Sequence, residues 1–268
     1  MDSDMATLEG IYVYPIKSLD GRAVETVTIA DGGSLRPDRQ FAMVDDDGEY
    51  VNGKRTPAVH RISADFDASG TIVTLTDDTD SARFDLEAER EAAATWLDER
   101  FEPPISFVRD EELGFPDDTA DFGPTIISTG TLETIAGWYD EIDGATEMRR
   151  RLRPNLVVEA EPFWEDRLYA GPDERVRFEI DGVSFEGISP CQRCVVPTRD
   201  PDTGAEIDGF QRTFVENREK TLPSWADERQ FDHYFRVMVN TRTPEASRGE
   251  TISIGAEVVI GETVSATS

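Results

Sequence analysis

The chain has 268 residues, 38% of them hydrophobic, enough for one large domain or two modest ones with real cores. It carries 56 Asp and Glu against 27 Lys and Arg, a formal net charge of -29, which argues against nucleic acid as a partner because that binding needs basic residues to displace counterions. The N-terminus has no basic region and no apolar run approaches the roughly 20 residues that cross a bilayer, so a soluble, cytoplasmic protein with no membrane partner is expected. Lysine occurs only at Lys17, Lys54 and Lys220, and the carboxylates are spread over the whole length. That is the pattern of a halophilic, acidic protein whose solvated carboxylates hold water while salt screens their repulsion.

Taken in chain order, Ile11 to Arg22 reads as a strand running into a proline turn that carries Lys17 and Ser18. A cation beside a hydroxyl at a strand end can grip a phosphate, and a solvated surface lysine is the plain alternative. Asp38 and Arg39 stand at the entry to a strand, as a local ion pair closing a turn or as a fork for a phosphate. Phe41 to Val51 predicts a hairpin with Asp47-Gly48 at its tip, and Gly70 to Thr76 a further strand. Helical spacing predicts helices around Glu89 to Glu99 and Thr131 to Asp140, where Leu132, Ile135, Ala136 and Tyr139 share one face.

Between those helices, the acidic, proline-bearing stretch from Arg109 to Pro124 is the natural boundary between domains. Arg153-Pro154-Asn155 is a stiff polar corner before an apolar strand, either a structural turn or a pair of donors on one edge. Arg175 to Phe185 predicts a second hairpin, turning at Asp181-Gly182, and Thr251 to Ile260 predicts the last strands. The architecture is therefore mainly β.

Cys191 and Cys194 form the one Cys-x-x-Cys. A four-ligand zinc site would have to recruit both His60 and His233 at no usual spacing. Pro197 and Pro201 forbid the regular helix that follows a thioredoxin-like pair, although a structural or redox dithiol stays open. A thiol next to Arg193 has its thiolate favoured, which suits nucleophilic attack or a soft metal.

The ordered motifs Tyr-Pro-Ile-Lys-Ser, Pro-Asp-Arg, Arg-Pro-Asn-Leu-Val-Val, Pro-Cys-Gln-Arg-Cys and Asp-Pro-Asp-Thr-Gly resemble those of MOSC proteins with an N-terminal MOSC β-barrel domain. The similarity extends to the mitochondrial amidoxime reducing component and its bacterial relatives, over roughly residues 8 to 262. It implies an α+β fold, mainly β with a few helices, made of an N-terminal MOSC β-barrel domain over residues 1–110 and a MOSC-type β-barrel over residues 111–268. It also implies a molybdenum cofactor, the Mo-pyranopterin, with Cys194 as the thiolate ligand to the metal. Lys17, Ser18, Arg39, Arg153, Asn155 and Tyr234 would bind the pterin and its phosphate, and Asp121 would join Cys194 in catalysis. One departure stands out, because the family's Asp-Thr-Ser run before a proline is here Asp121-Phe122-Gly123-Pro124, with two hydroxyls lost.

The activity so implied is an oxidoreductase, independent of pyridoxal phosphate, that removes oxygen from N-hydroxylated small molecules. Two cysteines cannot hold an iron-sulfur cluster, so electrons would come from a separate ferredoxin-like or cytochrome-like protein. The alternative within the family is a carrier of molybdenum cofactor or of persulfide sulfur on Cys194.

Overall fold

The computed structural model describes residues 6–102, 104–116 and 122–266. Its first half runs β1 (Ala6–Val13), β2 (Arg22–Val24), β3 (Thr26–Thr28), β4 (Phe41–Val44), β5 (Ser63–Phe66), β6 (Ile72–Thr76), β7 (Ser81–Asp85), α1 (Arg90–Asp98) and β8 (Ser106–Arg109). The second half opens with β9 (Ile126–Ser128), α2 (Thr129–Ala136), α3 (Gly144–Leu152), β10 (Leu156–Glu159), β11 (Glu174–Ile180) and β12 (Val183–Gln192). It continues through α4 (Phe210–Lys220), β13 (Arg236–Arg242), β14 (Thr251–Ser253) and β15 (Glu257–Ser265). The fold is mainly β, as the sequence predicts.

Seven strands close a barrel in the order β10, β9, β13, β12, β11, β15 and β1, with β1 returning to β10. Strand β1 alternates buried and exposed residues over its first half, and it supplies Leu8, Ile11 and Val13 to the same core as Phe178, Phe185 and Val239. The barrel is thus completed by the first strand of the chain. The β11–β12 hairpin forms at Asp181 and Gly182, whose φ values of 57° and 77° are both positive, as a tight two-residue turn demands. Inside, Gly187 of β12 passes so close to the 3-10 turn Trp164–Leu168 that a Cβ would lie 1.8 Å from the Leu168 carbonyl oxygen. Only glycine fits there.

A second core gathers Ile16, Leu19, Phe41, Met43, Val73, Leu75 and Leu97 between the β5–β6–β7 sheet, the β4–β8 pair and α1. The hairpin predicted at Phe41 to Val51 forms differently, because β4 pairs with β8 and the returning segment makes only the Val44–Tyr50 bridge. The reason is local: the Asp45 side chain accepts from the amides of Asp47 and Glu49 and folds the tip on itself. Helices α1 and α2 fall where periodicity places them, while α3 and α4 were not foreseen. A third core, with Phe210 and Phe214 of α4 and Tyr139 stacked on Phe210 at 4.4 Å, packs α2, α3 and α4 together.

Between this helical layer and the barrel lies a fully buried polar cluster. Arg218 of α4 donates through Nη2 to both oxygens of Asp166 at 2.8 and 2.6 Å, with its guanidinium between the rings of Phe163 and Phe231. Beside it, Glu165 accepts from the Ser128 amide and the Thr131 hydroxyl at the start of α2 through Oε2, while Oε1 has no hydrogen-bond partner. Burial, and then the neighbouring Asp166 charge, push the Glu165 carboxyl up to about 7 from 4.5. A carboxyl raised by folding stabilises the fold fully below its unfolded value, and that contribution is lost as pH rises through 7. Glu165→Gln should therefore flatten the pH dependence of thermal unfolding and gain up to about 3 kcal/mol over the wild type at pH about 8. Calorimetric or denaturant unfolding of both proteins across that range checks it.

Candidate functional site

The chain leaves β1 through Tyr14, whose backbone amide donates to Asp38 Oδ1 at 2.8 Å and whose hydroxyl donates to the Pro154 carbonyl at 3.0 Å. Its ring lies 5.0 Å from the Arg39 guanidinium and 4.2 Å from that of Arg153. Tyr14 therefore binds the Lys17-Ser18, Asp38-Arg39 and Arg153-Pro154-Asn155 segments into one wall. Its own hydroxyl is pushed above the ordinary tyrosine range by burial, which the surrounding arginines only partly offset.

That wall borders a cavity of about 640 Å³ lined by Lys17, Ser18, Arg39, Arg153, Asn155 and Cys194, among others. Among the described residues, eight basic side chains line it (Lys17, Arg39, Lys54, Arg150, Arg151, Arg153, Arg193 and Arg199) against two carboxylates, Asp20 and Asp38. The chain as a whole has twice as many acidic as basic residues, so the cavity inverts the global balance and suits an anion. Local backbone geometry supports this. Six described non-glycine residues have positive φ, and four of them, Ser18, Arg39, Arg153 and Met238, line the cavity. Left-handed backbone on residues with a Cβ costs about 1–3 kcal/mol each and is kept where side chains are needed in one place. Arg153, for instance, sits at the left-handed cap of α3, where glycine would be the unstrained choice.

Lys17 Nζ donates to the carbonyls of Phe115 and Pro116 at 3.0 and 3.1 Å and lies 5.4 Å from the Tyr50 ring centroid. Asn155 is buried at the start of β10, with Oδ1 accepting from the Thr125 amide and hydroxyl and Nδ2 donating to the Tyr12 carbonyl. These bonds join β1 to the approach of β9, which makes it a clamp in the cavity wall. Tyr234 does not line the cavity; its ring stacks on Phe231 at 5.5 Å. Asp121 lies outside the described residues, whereas Phe122 and Gly123 line the cavity. The departure at Gly123 has a steric cause, since a Cβ there would meet the Thr241 carbonyl oxygen at 2.4 Å.

Cys194 follows the end of β12 in a half-buried loop, and both cysteines are free thiols. The Arg193 guanidinium turns away from it, reaching Cys191 Sγ at 3.2 Å, the Leu152 carbonyl at 2.9 Å and Met238 Sδ at 3.8 Å. The arginine thus ties the thiol loop to α3 through Leu152 and to β13 through Met238. Past Cys194, buried Arg151 donates to the carbonyls of Pro197 and Arg199 and is anchored by Glu147, while Arg150 forks onto Asp202. The Asp-Pro-Asp-Thr-Gly turn is further closed on Asp200 Oδ1, which accepts from Thr203 and from the Asp202 amide. Asp202 is held below the ordinary carboxylate range, chiefly by its bond from Arg150. Tyr14 and Arg151 were missed as site residues; the two flank motif positions, but only their long-range bonds reveal their work.

Among the described residues no group of three His, Cys, Asp or Glu could hold a metal by protein side chains alone. What the cavity offers is two thiols, Cys191 and Cys194, and a cationic cradle, a donor set for a soft metal brought in by an anionic organic ligand. A closed seven-stranded barrel with its thiol loop and cradle at one end defines the class of protein. The family model for the MOSC N-terminal beta barrel domain matches residues 5–103 and that for the MOSC domain matches residues 118–259. The chain belongs to the MOSC family, whose domains are associated with molybdenum-cofactor binding. It is 26% identical to mitochondrial amidoxime-reducing component 1 of Homo sapiens, over 75% of this chain and 68% of that protein. The solved structure of the YuaD protein from Bacillus subtilis aligns over 96% of this chain and 95% of that one, at 11% identity and a TM-score of 0.38, too distant to carry an argument.

The left-handed arginine at the α3 cap gives a direct test of strain kept for a side chain. Arg153→Gly should be more stable than Arg153→Ala by about 1 kcal/mol, because only glycine relieves the backbone. Both should lose anion binding in the cavity. Denaturant unfolding of the two variants, with sulfate titrated into each, measures both effects.

Proposed function

We propose that this protein is a molybdenum-cofactor-dependent oxidoreductase that reduces N-hydroxylated small molecules. The observation that carries the reading is the meeting, on one cavity, of the Cys194 thiol with Lys17, Ser18, Arg39 and Arg153. These residues fit the group: the cations and the Ser18 hydroxyl would hold its phosphate, and the Cys194 thiolate would ligate the metal. When bound, the cofactor supplies two-electron chemistry suited to removing an oxygen atom from a substrate. Asn155 keeps the wall in register, Arg193 and Arg151 hold the thiol loop, and Asp121 joins the set by resemblance, whereas Tyr234, stacked on Phe231 outside the cavity lining, does not.

The name of the human relative, an amidoxime-reducing component, supports amidoximes and similar N-hydroxylated compounds as the substrate class. Tyr50 and Leu113, both exposed and both on the cavity lining, suit entry of a small organic molecule. Electrons would come from a separate carrier protein, since two cysteines cannot hold an iron-sulfur cluster. No described helix is long and apolar enough to cross a membrane.

Protein made in a host that loads other molybdoenzymes should carry near-stoichiometric molybdenum and should reduce an amidoxime with a reduced viologen as donor. Cys194→Ala should lose the metal or alter its absorption spectrum, and Cys191→Ala should keep both. Metal-free wild type from such a host, or a spectrum indifferent to Cys194, would overturn the reading in favour of a persulfide carrier.

A further inference from the structure

One imidazole stands among the cavity groups that no carried-over motif accounts for. His60, in the 3-10 turn Pro57–Arg61, lines it and is the cavity's one histidine among the described residues. Its ring is seated between two glycines from separate loops. A Cβ at Gly53 would lie 2.5 Å from His60 Nε2, and a Cβ at Gly204 would lie 3.5 Å from both Cβ and Cδ2 of His60. Gly204 closes the Asp-Pro-Asp-Thr-Gly turn that Arg150 and Arg151 brace, so the imidazole is held against the structure that supports the thiol loop. Nε2 is buried toward Gly53 and the Cδ2 edge lies against Gly204, while the residue itself lines the cavity.

The charges around it come from several elements. Arg199 and Asp200 face it from the braced turn, Arg153 from the cap of α3, and Lys54, Asp20 and Arg150 share the same cavity. We propose that His60 is the proton-delivering side chain of this cavity, charged only while an anion occupies the arginine cradle. Burial, then Arg199 and Arg153, hold the imidazole below its ordinary value, with the Gly53 backbone and then Asp200 opposing. An anion settling among those arginines cancels their field at the ring and draws a proton onto it.

The inference rests on the reductase reading for its chemical consequence. Reduction of an N-hydroxylated compound, R-NHOH, breaks the N–O bond and consumes two electrons, delivered by the separate electron-carrier protein, and two protons. His60 gives one proton to the departing hydroxyl oxygen, which leaves as water; solvent supplies the other to nitrogen, yielding R-NH2. The imidazole then recovers its proton through the cavity mouth.

With only His60 and His233 in the chain, the imidazole NMR signals are assigned by comparing wild type with His233→Gln. In cofactor-free protein at constant ionic strength, replacing chloride by sulfate should move the His60 titration midpoint upward and leave that of His233 in place. Arg153→Gly should abolish the movement. A His60 midpoint indifferent to sulfate overturns the proposal, and this result is independent of whether the protein is a reductase. In loaded protein, His60→Gln should lower kcat about a hundredfold with little change in KM and should remove the fall in rate on the alkaline side. Wild-type kcat and pH profile in that variant would overturn the proton-delivery role.

Discussion

Tyr14 is gripped at three points: its amide by Asp38, its hydroxyl by the Pro154 carbonyl, and its ring by two guanidinium groups. One of its partners, Pro154, lies 140 positions away along the chain. The hydroxyl bond spans the gap between the end of β1 and the corner before β10, strands that already pair in the barrel. The barrel thus sets the distance, and Tyr14 converts it into a common orientation for Lys17, Arg39 and Arg153. Loss of the ring would remove the surface on which both arginines lie.

A protein with a net charge of -29 keeps a cavity for an anion by separating length scales. Surface carboxylates act through water and salt and are screened within about 8–10 Å at ordinary ionic strength. The lining arginines act at contact distance in a partly dry space, where their field is stronger. Backbone strain at Ser18, Arg39, Arg153 and Met238 shows the same priority, since unstrained alternatives were available in glycine. The cradle is placed at a cost in local stability that the cores on either side absorb.

The thiol loop is rigid for a related reason. After β12 it forms only the short 3-10 turn Val196–Thr198, which leaves several of its carbonyls needing side-chain partners. Arg151 takes the Pro197 and Arg199 carbonyls, and Arg193 anchors the loop's entry through Cys191 and Leu152. The Cys194 thiol thus lies on the cavity lining between two such anchors.

By itself the sequence determined what short-range chemistry controls. The Asp181-Gly182 turn, the amphipathic faces of α1 and α2, and the ordered motifs around Lys17, Arg39, Arg153 and Cys194 are all legible within a few residues of each site. Helices α3 and α4 were not, because charged side chains fill them and their stability comes from burying Arg151, Arg218, Phe210 and Phe214 against distant partners. Likewise the pairing of β4 with β8, a strand more than 60 residues away, was not, although the Val44–Tyr50 bridge of the expected hairpin forms beside it. Only the tertiary structure decided that β1 completes the barrel, that Arg193 reaches Cys191, that Gly123 must be bare beside Thr241, and that His60 shares the cavity with Cys194. Each of these depends on which surfaces meet across the chain, and that is set by closure of the barrel and packing of the cores around it, which no local window of residues contains.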